Sequence, residues 1–290
     1  MVSTRVSVVV PAYNNAAFLR ETLLSVLAQT YTDFELVVAD HASVDDTPQI
    51  LAEFAHDPRV RLLSTPAGGG AERNWNRVTQ AATGELVKLV CGDDLLRPTA
   101  LEHQVAAFDA HPDAVMVCSP RDMIDATGKV IVRRRGLGGL SGRVDGRTAV
   151  RTAVRQGANL FGEPCCVLLR RSTLAEVGGW HGDPGYMIDQ ATYSRVLLRG
   201  DLVTTPHTEA AFRFSDTQWS VELAGQQSAS IAHLHRELQR IAPESVSAAD
   251  VRRGNLMASL RTAQRRVFYL AFGRRMRSAA TPPAGRAPAR

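Results

Sequence analysis

Short apolar runs alternate with helical patterns over the first 120 residues, and this alternation constrains the fold more than any other feature of the sequence. Segments with apolar residues at helical spacing separate the runs, and each run has the length of a buried strand. The runs are Val6–Val10, Phe34–Ala39, Val60–Leu63 and Leu86–Val90. Alternation of this kind is typical of parallel strands joined by crossover helices. We therefore expect an α/β fold in which helices flank a Rossmann-like, mostly parallel central sheet.

The remainder of the chain predicts a less regular set of elements. A basic, glycine-rich stretch, 133–142, predicts a mobile loop, and residues 281–290, rich in Pro, Ala and Arg, predict disorder. The pattern also predicts further extended segments and helices, which are 166–170 and 203–214 (extended) and 189–198, 228–241 and 250–273 (helical).

Positive charge is concentrated at the C-terminal end. The formal net charge is +5, but residues 251–290 contain ten Arg and no Lys, Asp or Glu, so the rest of the chain is acidic. An apolar stripe at helical spacing runs through this end, formed by Leu256, Leu260, Ala263, Val267 and Leu270. Such a helix can pack on the domain by its stripe, attach to anionic lipid or bind nucleic acid. No base-reading or stacking module accompanies it, so nucleic acid is the least favoured of the three.

The cysteines and the apolar runs indicate the compartment. Cys91, Cys118, Cys165 and Cys166 form no CxxC pair, which argues against a structural zinc site and indicates a reducing environment. No apolar run approaches the roughly 20 residues of a membrane-spanning helix, and the first run is too short for a secretory signal. We therefore expect a cytoplasmic protein.

Polar clusters follow three of the predicted strands directly: Pro11–Asn14, Asp40–Asp46 and Cys91–Asp94. In open parallel sheets, ligands bind beyond the carboxyl ends of the strands, so these clusters are candidate binding segments. A single carboxylate after a strand is more often a helix cap, as we expect for Asp45 or Asp46. Adjacent carboxylates at 93 and 94 repel each other and favour a bound cation. Oxygen ligands alone favour Mg²⁺ or Mn²⁺, which typically hold a diphosphate.

Several common enzyme motifs are absent from the sequence. There is no Walker motif, which argues against a P-loop ATPase. A glycine run, Gly68–Gly70, follows the third strand but lacks GxGxxG spacing, so a dinucleotide-binding dehydrogenase has little support. There is also no Gly-x-Ser-x-Gly elbow of a serine hydrolase.

Four ordered segments do match a known pattern. "VSVVVPAYN", then "FELVVADHASVDDT", then "GGGAERNWNRVTQAATGELVKLVCGDD" resemble, in order and spacing, the PxYN turn, the acidic loop, the ARN segment and the GExxxxLDxDD strand end of inverting family 2 glycosyltransferases with the GT-A fold. The resemblance spans about residues 5–120 and extends more weakly to about 215. It implies one GT-A domain with a nucleotide-sugar-binding half (1–120) and an acceptor-binding half (121–220), followed by C-terminal helices (221–277) and a disordered tail (278–290).

The resemblance implies a donor site after the first two strands. Pro11 and Tyr13 would line the nucleotide base, with Asp40 in the acidic loop beside it. Family members commonly have a second Asp next in this loop, where it contacts uracil, but this chain has His41. The base that the site accepts is therefore left open.

The diphosphate and metal positions follow in the same way. Arg73 would approach the donor diphosphate, Asp93 would hold the ribose, and Asp94 would bind a divalent cation, Mn²⁺ or Mg²⁺. The first acidic position of the DxDD pattern is Cys91 in this chain. The familiar Arg-x-His near the end of the catalytic domain appears as Arg213, Phe214 and Ser215, so one usual diphosphate contact is unfilled.

A catalytic base and an acceptor wall are implied further along the chain. The family supplies its base from an acidic helix, and "YMIDQATYSRVL" places Asp189 there; the alternative is that Asp189 is a helix N-cap. "GEPCCVLLRRSTLAEVGGW" resembles a segment that forms the acceptor wall in some members, which would place Glu163 and Trp180 near the acceptor.

The sequence thus predicts an inverting, metal-assisted glycosyltransferase. It would move a hexosyl or related sugar from a nucleotide-diphosphate donor to a hydroxyl of a saccharide, a lipid-linked saccharide or a small molecule. Its basic C-terminal helix could contact the inner face of the plasma membrane, and we expect no nucleic-acid partner. The alternatives are a nucleotidyltransferase, which usually carries a glycine-rich loop after its first strand, and a non-catalytic binding protein of the same fold.

Overall fold

The computed structural model describes residues 4–182, 187–214 and 227–272, without the side chains of residues 227 and 265–272. Its strands are β1 (Val6–Ala12), β2 (Phe34–Asp40), β3 (Val60–Ser64), β4 (Leu86–Leu89), β5 (Leu95–Leu96), β6 (Ala114–Cys118), β7 (Arg121–Ile124), β8 (Val130–Arg135), β9 (Arg143–Val144), β10 (Val167–Arg170), β11 (Asp201–Thr204) and β12 (Ala210–Arg213). Its helices are α1 (Leu19–Leu27), α2 (Thr47–Ala52), α3 (Gly70–Gln80), α4 (Ala100–Ala110), α5 (Gly146–Gln156), α6 (Arg171–Glu176), α7 (Ile188–Leu197), α8 (Gln227–Ile241) and α9 (Ala248–Phe272).

An eight-stranded sheet forms the centre of the molecule, in the order β3-β2-β1-β4-β10-β6-β11-β9. The strands from β3 to β4 are parallel, as predicted from their alternation with helices. β10 runs antiparallel between β4 and β6, and β11 lies parallel to β6. The expected mostly parallel, Rossmann-like sheet is therefore confirmed.

Burial explains why the strands carry continuous apolar runs. β1, β4 and β6 are buried along their whole length, as expected of strands that helices cover on both faces. α3 packs against β1 and β2, and α4 and α7 pack against β6. The main apolar core extends from Val6 in β1 to Ala258 in α9, so the C-terminal helix belongs to the same packed body.

A second, four-stranded sheet has the order β5-β12-β7-β8. β12 lies between β5 and β7, antiparallel to the first and parallel to the second. β5 begins directly after Asp94, and Arg213 is the last residue of β12. This small sheet therefore carries a residue of the second half of the chain to the end of β4.

The predicted mobile loop at 133–142 is partly a strand. Its first three residues complete β8, and the Arg134 N–H donates to Asp122 at 3.0 Å. Beyond β8, the Leu137 N–H donates to the Leu160 carbonyl at 2.8 Å, and Gln156 donates to the Gly138 carbonyl at 2.7 Å. The glycine-rich composition serves tight turns packed near α5, since Gly136, 138, 139 and 142 all have positive φ.

The carboxylate that satisfies the start of α2 belongs to Asp45. Asp46 occupies the N-cap position, but its side chain makes no capping hydrogen bond. Asp45 accepts the Thr47 N–H with one oxygen and the Ala16 N–H with the other, each at 3.0 Å. The expected local role is thus filled by Asp45, which also ties the loop after β2 to the loop after β1.

α9 packs with a face that the apolar stripe did not predict. Leu256 and Leu260 are 63% and 52% exposed, whereas Val251, Gly254 and Ala258 are buried against the domain. A Cβ at Gly254 would lie 2.1 Å from the Val154 carbonyl oxygen. Packing through the predicted stripe is therefore wrong for its described members, because so close an approach to α5 requires small residues. The side chains of Val267 and Leu270 lie outside the described residues.

Two charged contacts fix α9 on α5. Asp250 is buried and accepts hydrogen bonds from Arg151 at 3.0 Å and from Arg155 at 2.7 Å. Arg151 and Arg155 therefore help to hold α9 on α5.

Across the part of the chain that the structure describes, no helix combines the length and the apolar character needed to cross a bilayer.

Candidate active site

The loops that follow β1 and β2 form one continuous surface. The Asn14 N–H donates to the Ser43 hydroxyl at 2.9 Å, and the Asn14 side-chain oxygen accepts the Val44 N–H at 2.9 Å. Asn14 has a φ of 48°, a left-handed conformation that Asn adopts more readily than most residues. The first two polar clusters predicted from the sequence therefore lie side by side.

His41 and Tyr13 form an aromatic wall at this surface. Tyr13 is exposed, and its ring centroid lies 5.9 Å from that of the mostly buried His41. His41 Nε2 lies 2.9 Å from the Gly68 carbonyl oxygen. A carbonyl only accepts, so Nε2 carries the proton and Nδ1 is an acceptor in the neutral ring. Asp40 faces its own loop and accepts the Ser43 N–H at 3.3 Å.

The glycine run forms the opposite edge of this wall. Gly68, Gly69 and Gly70 all have positive φ, which places a tight turn directly before α3. Arg73, in the first turn of α3, extends along this turn and donates to the carbonyls of Ala67 and Gly68 at 3.2 and 3.4 Å. The positive side chain of Arg73, which is predicted to approach the diphosphate, is thus exposed near the N-terminus of α3, where backbone N–H groups also favour anions.

Asn74 is a residue of the site framework that sequence reasoning missed. Its amide is buried; it accepts the Thr65 hydroxyl at 2.7 Å and donates to the carbonyls of Ala12 and Ala39 at 3.2 Å each. Asn74 therefore holds the ends of β1, β2 and β3 together under the wall. The quoted ARN segment contains this Asn, but its local pattern does not show what the amide contacts.

Asp94 is the most deeply buried carboxylate of the site. It is 1% exposed, one oxygen accepts the backbone N–H of Arg213 at 3.0 Å, and Oδ2 accepts no hydrogen bond from an N–H or O–H group, although the nearby Cys165 thiol lowers the pKa of the carboxyl. Burial, and next the charge of Asp93, raise the pKa of Asp94 well above its ordinary value. An orphaned, buried carboxylate oxygen is the chemistry expected of a metal ligand.

Arg213 braces the turn that carries Asp93 and Asp94. Its fully buried guanidinium donates to the Asp93 carbonyl at 2.9 Å and to Glu21 at 2.5 Å, and it lies 4.6 Å from the ring centroid of Phe18. Sequence reasoning noted Arg213 only as part of a degraded motif. Ser215, the departure noted at the end of that motif, lies outside the described residues.

Asp189 occupies the first turn of α7 and does not act as its N-cap. Met187 is the N-cap residue, and no side-chain capping bond is made. Asp189 Oδ1 accepts the Gln190 N–H at 2.7 Å, and Oδ2 accepts the Asn159 amide at 2.8 Å. Burial raises the pKa of Asp189 to about 7, although the Gln190 N–H opposes the shift. A carboxylate with this pKa can exchange a proton near neutral pH.

The fold brings the distant acidic residues into one electrostatic cluster. The charges of Asp94, Asp93, Asp189 and Glu163 all add to burial in raising the pKa of the Cys91 thiol. Glu163 pairs with Arg121, whose Nη2 donates at 2.8 Å, and its charge also raises the pKa of Asp189. The cluster thus joins the end of β4 to the start of α7.

Trp180 lies in the core beside this cluster. It is 2% exposed, and its indole N–H donates to the Thr79 hydroxyl at 2.8 Å. Its ring packs edge-on against Trp75 and Tyr193, with centroids 5.1 and 6.0 Å away. Trp180 was expected near the acceptor. In the structure it is a core packing residue, and its polar atoms are all bonded within the protein.

The described residues supply few metal ligands of their own. No group of three or more His, Cys, Asp and Glu side chains within them is arranged to hold an ion. Asp94 nevertheless fits a cation, because its Oδ2 is buried and unpartnered. A cation at Asp94 would take its remaining ligands from the bound substrate and from water.

Comparisons with known proteins agree with this geometry. A family model described as glycosyl transferase family 2 matches residues 7–178. The chain is 34% identical over 211 residues to an uncharacterized protein of Mycobacterium tuberculosis, covering 70% of this chain and 65% of that protein. It is 33% identical over 127 residues to chondroitin synthase of Escherichia coli, covering 43% and 18%. The chain thus spans less than two thirds of the length of these curated relatives.

Solved structures share the fold. Staphylococcus aureus TarS 1–349, in complex with UDP-GlcNAc, aligns with a TM-score of 0.64 at 18% identity over 81% of this chain and 66% of that one. The mannosyltransferase PcManGT from Pyrobaculum calidifontis, in complex with GDP-Man and Mn²⁺, aligns with a TM-score of 0.64 at 21% identity over 97% and 77%.

Proposed function

The chain belongs to glycosyl transferase family 2 and has the GT-A fold, and on that premise we propose that it transfers a sugar from a nucleotide-diphosphate donor to an acceptor hydroxyl, with inversion and with the help of a divalent cation. The observation that carries the proposal is that two carboxylates from distant segments, Asp94 and Asp189, both lie near enough to Cys91 for their charges to raise its pKa. Asp94 is buried with an orphaned oxygen, and Asp189 has a pKa near neutrality. One is suited to a cation and the other to a proton.

The donor lies along the ends of β1, β2 and β4 in this proposal. Tyr13 and His41 contact the base above Pro11, and Asp40 lies in the same loop. Arg73 approaches the diphosphate from the start of α3, and Asp93 holds the ribose. The neighbouring fold in TarS was solved with UDP-GlcNAc and that in PcManGT with GDP-Man, which supports a nucleotide-sugar donor without selecting its base.

Asp94 would hold the divalent cation, Mn²⁺ or Mg²⁺. When bound there, the cation would neutralise charge that develops on the leaving diphosphate. Arg73 adds a positive side chain on the same side of the donor, and preorganised positive charge of this kind stabilises the transition state electrostatically. The Arg213 backbone N–H keeps Asp94 oriented, so the chain contributes a prepared ligand at this position.

Asp189 would act as the general base. It takes the proton of the acceptor hydroxyl while that oxygen attacks the anomeric carbon from the face opposite the diphosphate. The new carbon–oxygen bond forms as the bond to the diphosphate breaks, so a single displacement inverts the configuration and needs only one base. Glu163 is the proposed contact to the acceptor, and its charge raises the pKa of Asp189. The buried Trp180 would support the acceptor region by packing in the core.

A membrane surface is the proposed location of the acceptor. On α9, Leu256, Leu260 and Ala263 project away from the domain, and the exposed Arg252 and Arg253 lie on the same helix. A basic helix with an outward apolar stripe binds anionic lipid at the interface.

Metal-dependent nucleotide binding tests the proposed function directly. UDP and GDP should bind the wild type in calorimetry with Mn²⁺ and bind at least about tenfold more weakly when the cation is chelated. Asp94→Asn should remove this dependence and most of the transfer activity. Asp122→Asn is the matched control, because Asp122 is a buried carboxylate paired with Arg97 in the second sheet. Undiminished turnover of the wild type in excess chelator would contradict the proposal.

A further inference from the structure

The turn that precedes the acceptor segment, residues 159–162, holds a side chain with no role in the proposed function so far. Asn159 follows the left-handed C-cap Gly157 of α5 and lies 30 residues from Asp189 in sequence. Its amide nitrogen donates to Asp189 Oδ2 at 2.8 Å and to the Gly162 carbonyl at 3.0 Å. Its amide oxygen accepts the N–H groups of Phe161 at 3.1 Å and of Gly162 at 3.2 Å.

These four bonds leave the amide of Asn159 one orientation. Both hydrogens of the nitrogen and both lone pairs of the oxygen are used. Rotating the amide by half a turn would set its oxygen against a carboxylate and a carbonyl, and its NH₂ against two N–H donors. Asp189 Oδ2 therefore always faces a donor that cannot accept a proton in return.

The turn itself is fixed against α7. Phe161 and Tyr193, which is on α7, pack edge to face with centroids 6.4 Å apart. Gly162 has a φ of 91°, and a Cβ there would lie 2.7 Å from the sulfur of Cys166, so the backbone passes too close for any other residue. The Asn159 amide is thus held at a set place relative to the start of α7.

We propose that Asn159 is the positioning residue of the general base: it aims the carboxylate of Asp189 and keeps its charged form available to take the acceptor's proton. This inference rests on the proposed function of Asp189. A proton taken from the acceptor must then reside on a lone pair of Asp189 outside the contact with Asn159. The other groups that act on this carboxylate are Glu163, Arg121 and the Gln190 N–H, together with Tyr193 and Cys91, whose own pKa values its charge raises.

Asn159→Asp replaces the donor to Asp189 with an acceptor. The new carboxylate keeps the shape and still accepts the two turn N–H groups, but an oxygen now faces Asp189 and the Gly162 carbonyl in place of the NH₂. Two carboxylates in contact raise the pKa of one of them. We expect the acid limb of the kcat–pH profile to move up by at least about one pH unit and kcat at pH 7 to fall about tenfold, while the affinity for nucleotide diphosphate with Mn²⁺ is unchanged.

Two further variants separate loss of the bond to Asp189 from a general loss of structure. Asn159→Ser keeps a hydroxyl for the turn N–H groups but is too short to reach Asp189, so it should lower kcat without moving donor affinity. Asn76→Asp is the matched control, because the Asn76 amide clamps the backbone of Trp180 in the same manner, at 2.9 Å in each direction, outside the cluster. It should lower stability and leave the pH profile in place.

The outcomes separate this inference from the function on which it rests. If Asp189→Asn abolishes transfer while the profiles of Asn159→Asp and Asn159→Ser superimpose on the wild type, the role of Asn159 is overturned and that of Asp189 stands. If Asp189→Asn transfers at the wild-type rate, the assignment of the base itself fails. Carboxyl-carbon NMR of Asp189 in the protein without substrate provides a readout independent of turnover: its titration midpoint should rise in Asn159→Asp.

Discussion

Burial raises the pKa of both Asp94 and Asp189, but the two carboxylates have different hydrogen-bond partners. At Asp94 it leaves one oxygen without a partner, and the neighbouring charge of Asp93 adds to the unfavourable energy of ionisation. At Asp189 burial raises the pKa to about 7, against the opposing effects of the Gln190 N–H and the charge of Arg121. A cation would relieve the first arrangement, whereas the second is already balanced for proton exchange near neutral pH.

Asp189→Asn should change how the stability of the protein depends on pH. The pKa of Asp189 is about 7 in the folded protein against an ordinary 3.8, so the folded state binds the proton more tightly than the unfolded chain. The free energy of unfolding therefore falls as pH rises from about 4 to about 7. The variant cannot ionise and escapes this loss, but its NH₂ must face either the Gln190 N–H or the Asn159 amide, so its stability relative to the wild type should be higher at pH 8 than at pH 5 by on the order of 2 kcal/mol.

Transfer by the same variant should fall about 10²- to 10⁴-fold, with donor affinity retained. Urea denaturation at pH 5 and pH 8, together with calorimetry and transfer assays, checks all three quantities. Near-wild-type transfer would remove Asp189 from the mechanism. A relative stability of the variant that does not rise between pH 5 and pH 8, together with lost donor binding, would mark Asp189 as a structural residue.

His41 should allow the donor site to accept more than one nucleotide base. Its Nε2 is used by Gly68, and a neutral ring offers the base a single acceptor without negative charge. We expect the affinities of the wild type for UDP, dTDP and GDP to lie within about tenfold of one another, a difference of about 1.4 kcal/mol. His41→Asp should increase the preference for UDP, and His56→Asp, at an exposed histidine, should not. Strict selectivity for UDP in the wild type, unchanged by His41→Asp, would disprove the role of His41.

At the scale of elements, α9 shows that helical spacing alone does not tell which face of a helix packs on the domain. The helix has small residues on one side and leucines on the other, and close approach to α5 selects the small side. Asp250, held by Arg151 and Arg155, fixes that choice. The leucines are consequently left exposed at 256 and 260.

The exposed face of α9 predicts binding to anionic vesicles. The double variant Leu256→Ser/Leu260→Ser should bind at least about tenfold more weakly, because two leucines lose their insertion into the interface. Leu24→Ser is the matched control, since Leu24 is 54% exposed on α1. Vesicle co-sedimentation at increasing salt measures both the apolar and the charged contribution. Failure of the wild type to sediment with such vesicles at low salt would contradict membrane binding by this helix.

At the scale of the whole molecule, Arg213 joins the two halves of the chain at the site. It comes from β12 in the second sheet, and besides the carbonyls of Asp125 and Ala126 it contacts Glu21, Asp93 and Asp94, which are 192, 120 and 119 residues away. The turn that carries Asp93 and Asp94 is therefore held by a segment from the second half of the chain.

Arg213→Met should test this coupling. The methionine keeps an apolar stem over Phe18 but leaves the Asp93 carbonyl and Glu21 without their donor. We expect the free energy of unfolding to fall by about 2–4 kcal/mol and Mn²⁺-dependent nucleotide binding to weaken. Arg97→Met, which breaks a half-exposed pair with Asp122 in the same sheet, should cost less. Wild-type stability of Arg213→Met in urea denaturation would show that the halves are held together elsewhere.

The sequence alone determined the parallel strands of the first half, because a strand covered on both faces needs an unbroken apolar run and each run is local. It also determined the positions of Asp93 and Asp94, which lie in the short turn between β4 and β5. Asn74 and Asn159 escaped prediction because an amide shows its purpose only through the backbone groups it meets. Asn74 meets backbone carbonyls of two distant strands, and Asn159 meets the carboxylate of Asp189, 30 residues away.

Only the tertiary structure decided which face of α9 packs, that Asp45 takes the local role expected of either residue of the pair at 45 and 46, and that Trp180 belongs to the core. Each depends on how closely a second segment approaches: α5 for the helix, the loop after β1 for the carboxylate, and Thr79 for the indole. Periodicity and spacing describe one segment at a time, whereas burial and hydrogen-bond partners are properties of segments in contact.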